Sequence, residues 1–156
     1  MREDLRELYQ AVILDHARTP RNFRHPERAN RQAHGHNPMC GDQLSVYLSL
    51  DNHGVIEDAA FEGNGCAISL ASASLMTELL RGRSAGDALR LQVAFQALCV
   101  PDQLPGEAAL GEDRQALESL RVLSGVRSFP ARVKCATLAW HTMAAALRGE
   151  EQASSE

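Results

Sequence analysis

The chain has 156 residues, 44% of them hydrophobic and 23% charged, and its 16 basic and 20 acidic residues give a net charge of −4 at neutral pH. This length is sufficient for one domain with a sizeable apolar core that needs no disulfide bonds. This net negative charge does not indicate a basic surface for a phosphate backbone, so we do not expect nucleic-acid binding. There is no run of about 18 apolar residues and no signal-peptide pattern, which predicts a cytoplasmic protein without membrane spans.

The first third of the chain contains one predicted helix and two predicted strands. Residues 3–17 carry apolar side chains at helical spacing, and Thr19-Pro20 ends that pattern. A polar, arginine-rich loop is expected next. Residues 43–50 then alternate between apolar and polar, and a second strand is predicted over residues 55–61. The two strands would form a hairpin, which needs a helical layer or another strand to be stable.

The rest of the chain is predicted to be mainly helical. The predicted helices run from after Gly65 to Gly82, from Ser84 to before Pro101, over a short segment with Leu117 and Leu120, and from near Pro130 to about Arg148. A loop rich in proline and glycine precedes the short helix. We expect one domain over residues 1–148 and a disordered tail over residues 149–156. Because the predicted strands come early in the chain and most helices come later, we expect an α+β fold. It would have a small antiparallel β-sheet packed against a layer of about five α-helices.

Three of the four cysteines occupy positions suited to metal binding. In a reducing compartment cysteines serve as ligands or reactive thiols more often than as disulfides. Cys66 and Cys135 are expected near helix N-termini, where unpaired N–H groups and the helix dipole favour the thiolate. Cys40 lies two residues before Asp42, whose carboxylate can act as a fourth ligand. Three thiolates and one carboxylate suit a tetrahedral site, for which zinc is the default metal.

The spacing of these cysteines does not by itself establish a metal site. No pair has the C-x-x-C spacing, and three buried, inert cysteines are the alternative. Four singly negative ligands around a divalent ion would leave a net charge of about −2, so a cation is expected nearby. Lys134, the only lysine of the chain, directly precedes Cys135, and Arg132 lies two positions earlier. A lone lysine could equally be an accident of composition.

Other residues with metal-binding or reactive side chains are assigned to the core or to solvent. Cys99 shares a helix face with Leu91 and Phe95, so we expect it in the core. His34 and His36 precede Cys40 in what is expected to be an exposed loop, where histidines are usually solvated. His16 lies on an amphipathic stripe and is expected to be structural.

Three segments of the chain together resemble the IscU/NifU-like family of iron–sulfur assembly proteins. They are NPMCGD at residues 37–42, GNGCAIS at residues 63–69 and FPARVKCATL at residues 129–138. The start of the chain, with LDH at residues 14–16 and PRN at residues 20–22, is similar to the family's first helix and loop. Scaffold-type members carry a histidine where this chain has Lys134. That difference, and the long segment between Cys66 and Cys135, resemble the SufU branch of the family.

The resemblance implies an IscU-like fold and a zinc-bound sulfurtransferase. It would take persulfide sulfur from a PLP-dependent cysteine desulfurase of the SufS type and pass it to downstream iron–sulfur assembly proteins. The alternatives are a scaffold that holds iron or a [2Fe-2S] cluster, and an adaptor whose metal is purely structural. The implied residues are the ligands Cys40, Asp42, Cys66 and Cys135, with Cys40 also the sulfur acceptor, and the basic positions Arg132 and Lys134.

Overall fold

A computed structural model of the chain describes residues 3–39, 41–100 and 114–154. Within these ranges the structure has five α-helices and a four-stranded sheet, which confirms the predicted α+β class. A 3-10 helix over Arg121–Ser128 joins the last two α-helices. The elements are α1 (Glu3–Arg18), β1 (Arg31–Asn37), β2 (Asp42–Leu50), β3 (Ile56–Asn64), α2 (Ala67–Leu80), α3 (Ala85–Cys99), α4 (Arg114–Leu120), α5 (Pro130–Leu147) and β4 (Gln152–Ser154). The predicted loop at residues 101–111 lies outside the described residues.

Strand β1 occupies part of the segment for which a loop was predicted. It pairs antiparallel with β2 from Arg31 opposite Leu48 to Asn37 opposite Asp42. Its inward positions carry Ala33, Gly35 and Asn37, which are buried but give no run of large apolar side chains. A Cβ atom at Gly35 would collide with the side chain of Thr142, so glycine lets α5 lie directly on this strand. The strand was missed because its buried face is made of small residues.

The second difference from prediction concerns the end of the chain. Residues 152–154, within the predicted tail, form β4 and pair parallel with residues 34–36 of β1. The N–H of His34 also donates to the carbonyl of Glu151 at 2.8 Å. The sheet therefore has the order β3-β2-β1-β4 and is mixed, whereas a purely antiparallel sheet was predicted. A strand of three residues is too short to produce a detectable alternation.

The loop after α1 covers the outer edge of β3. The N–H of Arg24 donates to the carbonyl of Phe61, and the N–H of Phe61 donates to the carbonyl of Asn22, both at 3.0 Å. The ring of Phe23 packs edge-on against that of Phe61 with centroids 5.2 Å apart. The backbone groups of β3 at this point are therefore satisfied by the loop.

The core lies between the sheet and the helices. Helix α5 contacts β1 and β2, while α2 contacts β3 and α5. Alternate residues of β2, namely Leu44, Val46 and Leu48, are fully buried. Each such side chain contributes about 1.5–3 kcal/mol when removed from water. Among residues 3–39, 41–100 and 114–154, no helix combines the length and the apolar character needed to cross a membrane.

Two residues assigned to structural roles from the sequence are indeed in the core. Cys99 is fully buried, and this burial raises the pKa of its thiol to about 12, so it stays protonated and unreactive. His16 is also buried, with its Nδ1 2.7 Å from the hydroxyl of Ser74 on α2. Burial lowers the pKa of His16, chiefly because desolvation disfavours the imidazolium.

The contact between Phe95 and Trp140 gives a test of how α3 packs on α5. Both side chains are fully or nearly fully buried, and their ring centroids are 5.0 Å apart. We expect Phe95→Ala to lower the free energy of unfolding by about 3–5 kcal/mol, because it leaves a cavity beneath Trp140. Urea denaturation followed by circular dichroism measures this. Val93→Ala on the same helix, at a side chain 65% exposed, should change it by less than about 0.5 kcal/mol. Equal effects of the two substitutions would contradict this packing.

Candidate metal centre

Three potential ligands from three different elements meet at one end of the sheet. Asp42 is the first residue of β2, Cys66 directly precedes α2, and Cys135 lies in the second turn of α5. One carboxylate oxygen and the two sulfur atoms all lie within 4.8 Å of one another. Asp42 and Cys135 are each 2% exposed, whereas Cys66 is half-buried. The structure thus brings together three of the four ligands predicted from the sequence.

Cys66 takes the position of the N-cap of α2. Its backbone is extended, with φ −72° and ψ 171°, and its sulfur accepts a hydrogen bond from the N–H of Ser69 at 3.5 Å. This geometry confirms the prediction that Cys66 lies at a helix N-terminus, where N–H groups and the helix dipole favour a thiolate. Three residues before Cys66, Gly63 has φ +146°, and a Cβ atom at Gly63 would collide with the backbone of Gln43. Glycine therefore allows β3 to lie close to β2 just before the chain turns into α2.

The carboxylate of Asp42 is held on both oxygens. Oδ1 accepts a hydrogen bond from the N–H of Cys66 at 3.1 Å, and Oδ2 accepts one from the hydroxyl of Ser69 at 2.5 Å. The thiol of Cys66 also lies 3.8 Å from Oδ2. In a capping box, a carboxylate three residues into a helix bonds back to the N–H of the cap residue. Here Asp42 supplies that carboxylate from a neighbouring strand, and Ser69 occupies the third helical position.

Ser69 is the residue of this site that the sequence analysis missed. It is fully buried and contacts two of the three grouped ligands. The available signal was its position three residues after Cys66, which is the capping-box position. Because that position usually carries Glu or Gln, a serine there did not indicate a contact with a distant carboxylate.

Cys135 is positioned differently from Cys66. It is the sixth residue of α5, beyond the four N–H groups that a helix leaves unpaired, so the dipole argument made for it from the sequence does not apply. Its sulfur lies 3.8 Å from the carbonyl of Ala131. The next residue, Ala136, accepts a hydrogen bond from the hydroxyl of Ser72 at 2.5 Å, and that hydroxyl accepts one from the indole N–H of Trp140 at 3.1 Å. These bonds fix the turn of α5 that carries Cys135 against α2.

Cys40 lies outside the described residues, but the chain on either side of it forms part of the β1–β2 hairpin. The N–H of Gly41 donates to the carbonyl of Asn37 at 2.9 Å, and Gly41 has φ +74°. The N–H of Met39 donates to the side chain of Asn37 at 3.2 Å, and the Met39 side chain is 72% exposed. Asn37 and Asp42 are paired at the base of this hairpin.

The two basic residues singled out from the sequence share the part of α5 that carries Cys135. Arg132 is exposed and Lys134 is half-buried. The N-cap residue of α5, Phe129, has 63% of its side chain exposed. This end of the molecule therefore combines positive charge with exposed apolar surface.

The histidines near Cys40 in sequence lie in a strand, not in the expected exposed loop. His34 and His36 are residues of β1, and His34 has its Nδ1 3.1 Å from the hydroxyl of Ser45. Neither histidine belongs to the group of ligand atoms described above.

The chemistry of this group fits a borderline-soft divalent cation. Two sulfur ligands of a tetrahedral zinc ion at about 2.3 Å would lie about 3.8 Å apart, so the two sulfur atoms need to approach each other by no more than about 1 Å. Sulfur and carboxylate oxygen are both accepted ligands of zinc. Asp42, Cys66 and Cys135 can therefore hold a metal ion, with one coordination position left for a further ligand.

Comparison with known proteins agrees with this fold and this group of residues. The family model of the NifU-like N terminal domain matches residues 8–136. The zinc-dependent sulfurtransferase SufU of Bacillus subtilis (strain 168) is 38% identical over 148 residues, covering 95% of each chain. The iron–sulfur cluster assembly scaffold protein IscU of Streptococcus pyogenes serotype M1 is 39% identical over 145 residues, covering 92% of this chain and 85% of that protein.

A solved structure shares the fold of this chain. The crystal structure of a hypothetical protein, 37% identical in sequence, superimposes with a TM-score of 0.76 and covers 91% of this chain and 98% of that one. The family match spans all three grouped ligands, from Asp42 to Cys135. The chain therefore belongs to the family of the NifU-like N terminal domain.

Proposed function

We propose that this protein is a zinc-bound sulfur acceptor in iron–sulfur cluster assembly, with Cys40, Asp42, Cys66 and Cys135 as its metal ligands. The observation that carries the proposal is the group formed by Asp42, Cys66 and Cys135, whose ligand atoms lie within 4.8 Å of one another. The similarity to a protein named zinc-dependent sulfurtransferase SufU supports zinc as the metal and sulfur transfer as the activity. The donor would be a PLP-dependent cysteine desulfurase of the SufS type, and the recipients would be downstream assembly proteins in the cytoplasm.

Cys40 is proposed as the fourth ligand because of its distance from Asp42 along the chain. They are two positions apart, so covalent geometry keeps their Cα atoms within about 7 Å. A fourth ligand completes the tetrahedral shell that a non-catalytic zinc site requires. When bound, zinc keeps the thiolates deprotonated and takes no part in electron transfer.

Cys40 is also proposed as the residue that accepts sulfur, in a step that needs no oxidant. Its thiolate attacks the terminal sulfur of the donor's persulfide, and a new S–S bond forms at Cys40 as the donor's S–S bond breaks. The electron pair leaves on the donor cysteine, which becomes a thiolate. The step needs a sulfur–sulfur approach of about 3–3.5 Å. Cys66 and Cys135 are anchored at the start of α2 and within α5, which limits how far either can move toward a donor sulfur.

Lys134 and Arg132 are proposed to stabilise or attract the negative charge of the zinc site and of the persulfide. The zinc site with its four ligands would carry a net charge of about −2, and a persulfide adds a further negative charge. A half-buried ammonium on the same turn as Cys135 would stabilise both in a setting of reduced dielectric. Arg132, which is exposed, would act over a longer range on the approach of a partner.

The second candidate is a scaffold on which a [2Fe-2S] cluster is assembled. It is favoured by the similarity to the Streptococcus pyogenes protein, which is named a scaffold. The two functions predict different metals in the protein as purified. Zinc alone supports the sulfur acceptor, whereas iron with acid-labile sulfide supports the scaffold.

We expect about one tightly bound zinc ion per chain, and we expect its removal to lower the melting temperature by on the order of 5–10 °C. The reason is that a site assembled only in the folded state adds its binding free energy to folding. Elemental analysis gives the stoichiometry, and differential scanning calorimetry before and after chelation gives the shift. An unchanged melting temperature after verified zinc removal would count against the proposed centre.

We expect the transferred sulfur on Cys40 and expect Cys40→Ala to abolish stimulation of the desulfurase. Incubation with the desulfurase and cysteine, followed by peptide mass spectrometry, should show an extra 32 Da, the mass of one sulfur atom, on the Cys40 peptide. Cys99→Ala is the matched control, because its buried thiol has a raised pKa and should not accept sulfur. Label found mainly on Cys66, Cys99 or Cys135 would refute the assignment.

We expect Lys134→Ala to reduce the rate of sulfur transfer about tenfold while changing the free energy of unfolding by less than about 0.5 kcal/mol. Lys134→Arg should recover only part of the rate, because a guanidinium spreads its charge over a larger and differently shaped group. The rate of persulfide formation is compared at matched zinc content. Equal rates in all three proteins would mean that the single lysine has no role in transfer.

A further inference from the structure

Ser69 contacts two of the three grouped ligands through different atoms. Its hydroxyl lies 2.5 Å from Oδ2 of Asp42 and 3.6 Å from the sulfur of Cys66, and its N–H donates to the same sulfur at 3.5 Å. The residue is fully buried. We propose that Ser69 is a positioning residue whose hydroxyl sets the orientation of the Asp42 carboxylate for metal binding; the inference rests on the proposed zinc centre.

The hydrogen bonds to Asp42 fix the plane of its carboxylate. The N–H of Cys66 bonds Oδ1 and the hydroxyl of Ser69 bonds Oδ2, so the group is held at both ends. Each carboxylate oxygen can accept two partners. The orientation of Asp42 is therefore set before the metal binds. Because this side chain is already ordered, less conformational entropy is lost on binding.

The size of Ser69 matches the space around it. A Cβ atom built on Gly65 would lie 3.0 Å from Cβ of Ser69 and 3.2 Å from Oδ1 of Asp42, so the loop before α2 packs directly on this pair. In a capping box this position carries Glu or Gln, whose side chain would compete with Asp42 for the N–H of Cys66. A serine supplies a hydroxyl donor with the fewest additional atoms.

The test measures zinc affinity by competition with a chromophoric chelator, without any sulfur-transfer assay. We expect Ser69→Ala to weaken zinc binding about 10–100-fold, the range found for residues that orient metal ligands. Ser69→Thr, which keeps the hydroxyl, should recover part of that loss. Ser74→Ala is the matched control, since it removes another buried serine hydroxyl of α2, bonded instead to His16 and Arg21. Its zinc affinity should stay within about threefold of wild type.

A double-mutant cycle with Asp42→Ala shows whether Ser69→Ala weakens zinc binding through Asp42 or through a general loss of protein stability. If Ser69 acts through Asp42, then adding Ser69→Ala to Asp42→Ala should weaken binding by less than about threefold. A full 10–100-fold loss in that background, or unchanged affinity of Ser69→Ala in the wild-type background, would overturn the inference while leaving the zinc centre standing. A wild-type protein that binds no zinc would overturn the proposed function itself.

Discussion

The carboxylate of Asp42 links the beginning of β2 to the beginning of α2, and the arrangement of the candidate centre depends on that link. The hydrogen bonds from the N–H of Cys66 and the hydroxyl of Ser69 hold the carboxylate in a pocket where it is 2% exposed. A buried carboxylate without such donors would carry a large desolvation cost. The bond from Cys66 also satisfies the backbone N–H of the residue that caps α2, so helix capping and the orientation of a ligand share this contact.

The third grouped ligand depends on how α5 lies across the sheet. Gly35 allows the helix to approach β1 at Thr142, and Ser72 bonds the carbonyl of Ala136 from α2. These contacts bring the turn with Cys135 next to Cys66, although the two cysteines are 69 positions apart in sequence. Packing of small residues, more than any local feature of the last helix, places this sulfur.

The sequence predicted the parts of the structure that follow strong local signals. The helix after Gly65 was predicted from its apolar spacing and from Gly82 at its end, and the next helix and the last one from the start signals Ser84 and Pro130. Strand β1 was missed since its buried residues are small, and β4 because it has only three residues. In the site, motif resemblance identified the ligands. The contact of Ser69 with Asp42 joins residues 27 positions apart and has no periodic signature.

The covered edges of the sheet limit how another protein can approach this one. Within the described part of the chain, the loop at residues 22–24 bonds the outer side of β3, and the short strand β4 lies along β1. Exposed strand edges are where foreign peptides join a sheet by backbone pairing. Parts of both sides are thus occupied, whereas Met39 and Phe129 are exposed at the end of the sheet near the grouped ligands. Recognition there would use side chains and loop shape, a mode that forms and dissociates without breaking a ladder of backbone hydrogen bonds.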